Sequence, residues 1–407
     1  MRALALALLL AGCAPSIRPE YEAEAARASE VLRGVPDGWA PDVRVQLSTV
    51  ALQDAVSEAM GVVVAAVPPV SVGLPFGASA GLAPSLRLTG MVVTPSEACV
   101  GCLSYAASAS GPVRASAAGF QLSLPVTAAV MGTAELEVLE DRRVVLRPRS
   151  IDRVRVAVEG LPAVMQDPSG ALQEALRRAA GGRLPAVELY DLADTELPVR
   201  AVGVGVLPGG VEVRLLTDVP DPVPVAPGAF PEAGARVRLS RSVMTGLARR
   251  KAFAEGPVAL AMVPEPRAIA LDGDRFVMDL RLWRLSGRGW WRDYEVRGRV
   301  AVEGERLAVG ADSAREVGHS PGAGLVDPLA AAFRPVLAQA VESAVRMAVP
   351  AKHEETEAGV AYTARLRAVS GVDNAVLVDL DIDATSVSAA PPRDGKPGFG
   401  LGAPRAR

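Results

Sequence analysis

Arg44-Val45-Gln46-Leu47-Ser48 is echoed by Arg236-Val237-Arg238-Leu239-Ser240, and the fold turns on reading the two as the openings of related units. Each serine stands where a helix cap would accept from free backbone N–H groups, ahead of an apolar-striped helix. The echo continues downstream. Asp167-Pro168 and Asp327-Pro328 each join a cap to a proline suited to the first helical position, where its missing N–H is harmless. After the first pair, Ala171, Leu172, Ala175, Leu176 and Ala179 recur at helical steps until Gly181-Gly182. After the second, Leu329, Phe333, Val336, Leu337, Ala340, Val341, Ala344 and Ala348 make a longer and wider stripe. Unbroken from Pro328 to Val349 it spans about 33 Å, with Pro335 placed to kink it. Each helix precedes a hairpin: Val199 to Leu207 with Val211 to Leu216 around Pro208-Gly209-Gly210, and Val360 to Val369 with Ala375 to Ile382 near Asp373-Asn374. The offsets between the copies differ, so duplication stands against chance similarity in a valine-rich chain.

Between the helices of the first unit, strand-like alternation occupies Leu86 to Val93, Phe120 to Val126, Ala134 to Val138 and Val154 to Val158. Antiparallel strands between helices make an α+β pattern. The expected architecture is two tandem α+β repeats, each a curved antiparallel sheet packed around one long and one shorter helix. Composition sets the boundaries: a tether at 13–40, a first repeat at 41–216, a connector at 217–234, a second repeat at 235–388 and a tail at 389–407. The connector carries Pro220, Pro222, Pro224, Pro227 and Pro231, which favour an extended, semi-rigid chain. The tail, rich in Pro, Gly and Arg, is expected to be disordered.

Residues 1–12 read as a signal peptide: basic Met1-Arg2, an apolar Ala3 to Leu10, then a small-residue cleavage site. The apolar run is too short to span a bilayer. Leu10-Ala11-Gly12-Cys13 resembles the lipobox of bacterial lipoproteins; the other reading is an ordinary secretory peptide with an incidental cysteine. The resemblance implies cleavage before Cys13, acylation of Cys13 with diacylglyceryl and palmitate-like chains, and, because Ala14 is not Asp, passage to the outer membrane facing the periplasm. Several acyl chains on one residue anchor more firmly than the marginal single chain.

A net charge of −3 and 4% aromatic residues argue against a nucleic-acid surface, which needs a basic stripe or stacking rings. No later stretch is long and clean enough for a membrane helix. Chemistry-bearing groups are sparse. Cys99-Val100-Gly101-Cys102 suits a local disulfide in an oxidising compartment. A redox pair would want a helix N-terminus after it, and a zinc site lacks ligands, since His319 and His353 have no metal spacing. Gly318-His319-Ser320-Pro321-Gly322 matches G-x-S-x-G, with Asp327 and His353 following in triad order. Pro321, however, has no N–H to offer an oxyanion. A serine hydrolase is therefore a distant alternative, and no enzyme, metal or cofactor is expected. Gly203-Val204-Gly205 lies between strands and is not a dinucleotide turn. Asp379, Asp381 and Asp383 share one strand face, read as a solvated edge or a calcium site.

Trp283, Trp290 and Trp291 cluster about a turn at Ser286-Gly287-Arg288-Gly289, with Arg281, Arg284, Arg288 and Arg292 interleaved. Rings beside cations suit a lipid headgroup or membrane interface. Phe276, Met278, Leu280 and Leu282 face one way; Asp279, Arg281 and Trp283 face the other. Trp283, Arg288, Trp290 and Trp291 are thus candidates for ligand or membrane contact, against packing on the other repeat or the connector.

The Leu47-Ser48 and Leu239-Ser240 pairs, with the order of elements from Asp42 to Asp383, resemble the tubular lipid-binding superfamily, which includes bactericidal/permeability-increasing proteins. That resemblance implies a curved sheet around a long helix enclosing an apolar groove for acyl chains, with Phe333, Leu337 and Val341 on the helix facing it. It also leaves the longer stretch before Asp167 needing extra strands. The expectation is an envelope-anchored lipoprotein that binds a lipid or other apolar ligand without catalysis. A structural or assembly lipoprotein without a small ligand is the alternative, and no protein partner is indicated.

Overall fold

The computed structural model describes residues 16–60, 64–66, 70–73, 79–96, 99, 101–117, 120–139, 143–160, 169–183, 187–191, 198–257, 262–304, 306–321, 354–357 and 360–386. Helix α1 (Arg18–Ala28) leads to strand β1 (Val43–Ser48), helix α2 (Thr49–Met60) and the short strands β2 (Val64–Ala66) and β3 (Val70–Gly73). Four long strands follow: β4 (Ser79–Pro95), β5 (Cys102–Ala117), β6 (Phe120–Val138) and β7 (Arg143–Val158). Helix α3 (Ser169–Arg183), β8 (Val187–Asp191), β9 (Val199–Leu207) and β10 (Gly210–Thr217) come next. After them run β11 (Ala235–Ser240), α4 (Arg241–Glu255), β12 (Met262–Asp272), β13 (Arg275–Arg284), β14 (Trp290–Glu303) and β15 (Arg306–His319). The last strands are β16 (Glu354–Glu357), β17 (Val360–Val372) and β18 (Ala375–Ser386).

The α+β expectation is corrected: the protein is predominantly β, three antiparallel sheets with short helices laid against them. Among the described residues no helix exceeds 15 residues. The stripe at 328–349, with Phe333, Leu337 and Val341, lies outside the described residues, as do the signal peptide, Cys13, Asp167-Pro168 and the tail at 389–407. Strand content escaped notice because of β5, whose Ala/Ser/Gly run has weak β propensity. It is nonetheless paired along both edges, with β4 and β6. The two runs Phe120 to Val126 and Ala134 to Val138 are likewise one strand of 19 residues, bridged by Thr127 to Thr133, whose adjacent Ala128-Ala129 and Val130-Met131 break the apolar–polar alternation. Helix α3 also continues through Gly181-Gly182 to Arg183.

The central sheet runs β16-β17-β18-β11-β1-β10-β9, so the two echoed pentapeptides lie side by side. Val45 pairs with Val237, flanked by Arg44 with Arg238 and Gln46 with Arg236. Shifting every position by the offset between the pentapeptides returns the same pairs. The hairpins repeat this register: Val45 faces Val213, which faces Val204, and Val237 faces Val378, which faces Val369. Both serines cap their helices, Ser48 Oγ accepting from the Ala51 N–H at 3.1 Å and Ser240 Oγ from that of Val243 at 3.2 Å. Beside them Asp42 is wholly buried. Its carboxylate accepts from the Thr217 N–H at 3.0 Å and from the Thr217 hydroxyl at 2.6 Å. Burial pushes the Asp42 carboxyl up, and these hydrogen bonds offset only part of that.

The proline-rich stretch is extended but does not hang free. It straps the polar face of the central sheet, where Arg44 Nε donates to the Val225 carbonyl at 2.7 Å and Gln46 Nε2 to that of Gly228 at 2.9 Å. Arg44 also meets Glu212 at 2.7 Å, and Arg236 pairs with Asp379 at 2.6 Å. The opposite, apolar face joins α4 and the four-stranded sheet β12-β13-β14-β15 in one core containing Leu239, Met244, Leu247, Phe276, Met278, Leu280 and Leu282.

Candidate functional site

Strands β4 to β7 each run 16 to 19 residues, roughly 54–65 Å at about 3.4 Å per residue. Their apolar face is covered in two separate places. At one end Leu86, Val113, Val126 and Val154 pack on Leu172 and Leu176 of α3. At the other, Val93, Leu103, Tyr105 and Leu146 pack with Leu52 of α2 and Val211 of β10. The two helices, of 12 and 15 residues, total about 40 Å of length at 1.5 Å per residue. They are shorter than the sheet they cover.

Where the two clusters meet, the face narrows to small side chains of both, Ala107 of one and Ala109 and Ala128 of the other. Ala107 pairs with Val130, and Ala109 with Ala128. Val130 is half-buried and touches both clusters. Ala107, Ala109 and Ala128 are buried, at 8%, 9% and 5% exposure, as are Leu176 and Met91 at 7%. This alanine waist is apolar, buried and built of small side chains.

Tyr105 marks the border of the waist. Its hydroxyl donates to the Ser150 carbonyl at 3.1 Å, and it lies across Gly132, where a Cβ would stand 2.0 Å from the Ser150 oxygen and 2.8 Å from the phenol oxygen. Only glycine allows that approach. Burial, reinforced by Asp152, pushes the Tyr105 phenol up to about 12. An unfolded tyrosine ionises near 10, so the unfolded chain releases this proton first. Stability from the neutral buried phenol is present below pH 10 and lost as pH rises through 12, on the order of 2–3 kcal/mol. Burial also pushes the Tyr21 phenol up, but Tyr105 is expected to give the phenolate step near pH 12 in an ultraviolet titration, and Tyr105→Phe to remove both that step and the associated alkaline loss of stability.

The tryptophan cluster sits elsewhere, on the outer face of β13 and β14. Phe276, Met278, Leu280 and Leu282 point into the core as their spacing required. The alternate face is not open, because α1, expected as part of a tether, lies upon it. Trp283 is 0% exposed. Its indole N–H donates to Glu265 at 2.7 Å, and Tyr21 of α1 meets its ring at 5.7 Å. Trp283 is therefore withdrawn from any membrane or ligand contact. Glu265, also fully buried, accepts from Arg249 Nε at 2.6 Å, and Arg249 reaches on to Glu24. Arg281 holds Asp293 through two bonds, of 2.6 and 2.8 Å, pairs with Glu20 at 3.0 Å, and lies 3.7 Å over the Trp291 ring. Burial opposes the Arg281 cation, but Asp293, Glu20 and Glu265 outweigh it and raise its pKa. Trp291 donates to Glu20 at 3.2 Å, and half-buried Trp290 packs on the main core beneath Arg292. Arg288 alone of the four candidates is exposed, in the turn before β14.

Glu20, Tyr21 and Glu24 went unseen as functional residues. The four-residue step from Glu20 to Glu24 does put both on one helix side, but beyond the local Glu24–Arg27 pair their arginine partners are more than 200 positions away.

Cys99 and Cys102 form a disulfide with Cα atoms 5.8 Å apart, directly before a strand, not a helix. Ser320 is buried, its hydroxyl accepting from the Trp291 N–H at 3.0 Å, which engages it in closing β14 against β15. Asp327 and His353 lie outside the described residues. Asp379 pairs with Arg236, Asp381 with Arg367 and Asp383 with Arg365. Among the described residues no group of three His, Cys, Asp or Glu could hold a metal, and no helix is long and apolar enough to cross a membrane.

No family model and no curated sequence matches the chain. Solved structures similar to it include a lipopolysaccharide binding protein, with a TM-score of 0.41 and 9% identity over 85% of this chain and 99% of that one. P47 from Clostridium botulinum A2 aligns with a TM-score of 0.35 and 10% identity over 84% and 97% of the two chains. P47 of Clostridium botulinum E1 gives 0.37 and 7% over 84% and 99%.

Proposed function

We propose that this chain is an exported, internally duplicated lipoprotein, acylated at Cys13, that holds a lipid or other apolar ligand without transforming it. The observation that carries the reading is the alanine waist: a long apolar sheet face, packed by larger side chains at both ends, whose buried middle is made of the small Ala107, Ala109 and Ala128 beside Val130. Small side chains offer fewer packing contacts than large ones, and an acyl chain laid along this face would add to them. The duplication rests on the common register of the two halves of the central sheet, and the anchor on Leu10-Ala11-Gly12-Cys13. In this reading the disulfide, the buried Ser320 and the proline strap are structural.

Native mass spectrometry of the protein purified from membranes is the test. Adducts of lipid mass, displaced at unit stoichiometry by a fluorescent fatty acid, are expected. A bare protein that takes up no probe would leave the alternative, a structural or assembly lipoprotein without a small ligand.

A further inference from the structure

We propose that the turn Arg284–Trp290, together with Ser16–Arg18, is the surface this protein rests on an anionic membrane leaflet, the short N-terminal tether holding it there. The inference depends on the acylation of Cys13 proposed above. Helix α1 is no flexible leash. It is fixed along its length to α4 and the four-stranded sheet: Ala28 and Glu30 carbonyls accept from Arg250 and Glu24 meets Arg249, both of α4, while Glu20 meets Arg281 of β13 and the Ile17 N–H donates to the Arg288 carbonyl at 3.3 Å. The chain from Cys13 to Ile17 can reach at most about 14 Å. An acyl anchor on Cys13 therefore brings the Arg288 turn to the bilayer surface, whatever path those residues take.

The chemistry of that surface suits the position. Ser16–Arg18 and Arg284–Trp290 contain three arginines and no carboxylate. Glu20 and Asp293 are engaged by Arg281 and Glu316 by Arg292 at 2.8 Å; Glu22, one turn from Arg18 on α1, is exposed. Arg18 and Arg284 form no ion pair among the described residues; Arg284 donates to Ser286 Oγ at 3.0 Å and lies 5.9 Å over Trp290. Cations held within a Debye length of anionic headgroups are attracted to them. The opposite turn of β13, at Asp272–Arg275, lies about 30 Å along the strand and pairs through Gly273 with Gly371 of the central sheet. It should stay in water.

The test uses the acylated full-length protein in vesicles of phosphatidylethanolamine and phosphatidylglycerol. Ser286→Cys or Asp274→Cys carries an environment-sensitive fluorophore, and the lipids carry a shallow spin-label quencher. The Ser286 label is expected to shift to the blue and to be quenched at least about twice as strongly as the Asp274 label, and Arg284→Glu with Arg288→Glu should remove the difference, since headgroup attraction is charge-dependent. A Ser286 label that reports water in vesicle-bound protein whose Cys13 mass shows the lipid would overturn the docking surface alone. An unmodified Cys13 would overturn the docking surface and the anchoring reading together.

Discussion

Trp283→Ala is expected to lower stability by about 3–5 kcal/mol, the range for deleting a fully buried tryptophan. The indole fills the space between β13 and α1, with Tyr21 edge-on at 5.7 Å and Arg281 over the ring at 5.3 Å. Its N–H is one of two donors that satisfy Glu265, a carboxylate with no access to water. Truncation therefore opens a cavity and also strips a buried charge of a partner, two losses that add to each other. Helix α1 should loosen first, because its grip runs through the same residues. Urea unfolding would show the loss, and trypsin should cut at Arg27 or Arg33, both exposed, well before it cuts the parent protein. A loss under about 1 kcal/mol, within the ordinary surface range, would mean that α1 is not seated on Trp283 as described.

The contrast between α1 and the central sheet shows which parts of this fold are legible in a sequence. Arg44-Val45-Gln46-Leu47-Ser48 and its echo announce themselves because cap and alternation are local, each read within a few residues. The hairpin turns at Pro208-Gly209 and Asp373-Asn374 are local in the same sense, and they fall where their residues required. The seat of α1 is not local. Glu20 answers Arg281 across 261 positions and Glu24 answers Arg249 across 225, and nothing within either segment names the other. A polar, alanine-rich segment therefore reads as a tether until a sheet is placed beneath it. Strand β5 failed to stand out for another reason: alanine and serine alternate in burial without alternating much in hydrophobicity. Its identity as a strand comes from its two neighbours. The same small side chains that hid the strand make the waist, so the candidate ligand site was illegible for the reason that it is a candidate.

Ala109→Trp separates a ligand groove from a merely loose core. In a filled core, an indole at this position would force its neighbours apart at about 1–3 kcal/mol. In a groove it would occupy the ligand's place with little strain, and fatty-acid uptake should fall at least about tenfold, equivalent to 1.4 kcal/mol of binding. The expected result is the second: stability within about 1 kcal/mol of the parent and uptake lost. Leu86→Ala supplies the reciprocal measurement. Leu86, a large side chain under α3 in the same cluster as Ala109 and only 1% exposed, is core, so its truncation should lower stability by about 2–5 kcal/mol while the native fraction still takes up probe. Should Ala109→Trp instead destabilise the fold and leave uptake unchanged in the protein that remains folded, the waist is packed by residues of the chain itself, and the ligand, if one binds, lies elsewhere. Ala128, directly across from Ala109 on β6, should behave as Ala109 does. Agreement between the two positions would place the ligand on the waist, where one face of β5 and β6 is shared, and disagreement would confine the effect to the substituted side chain.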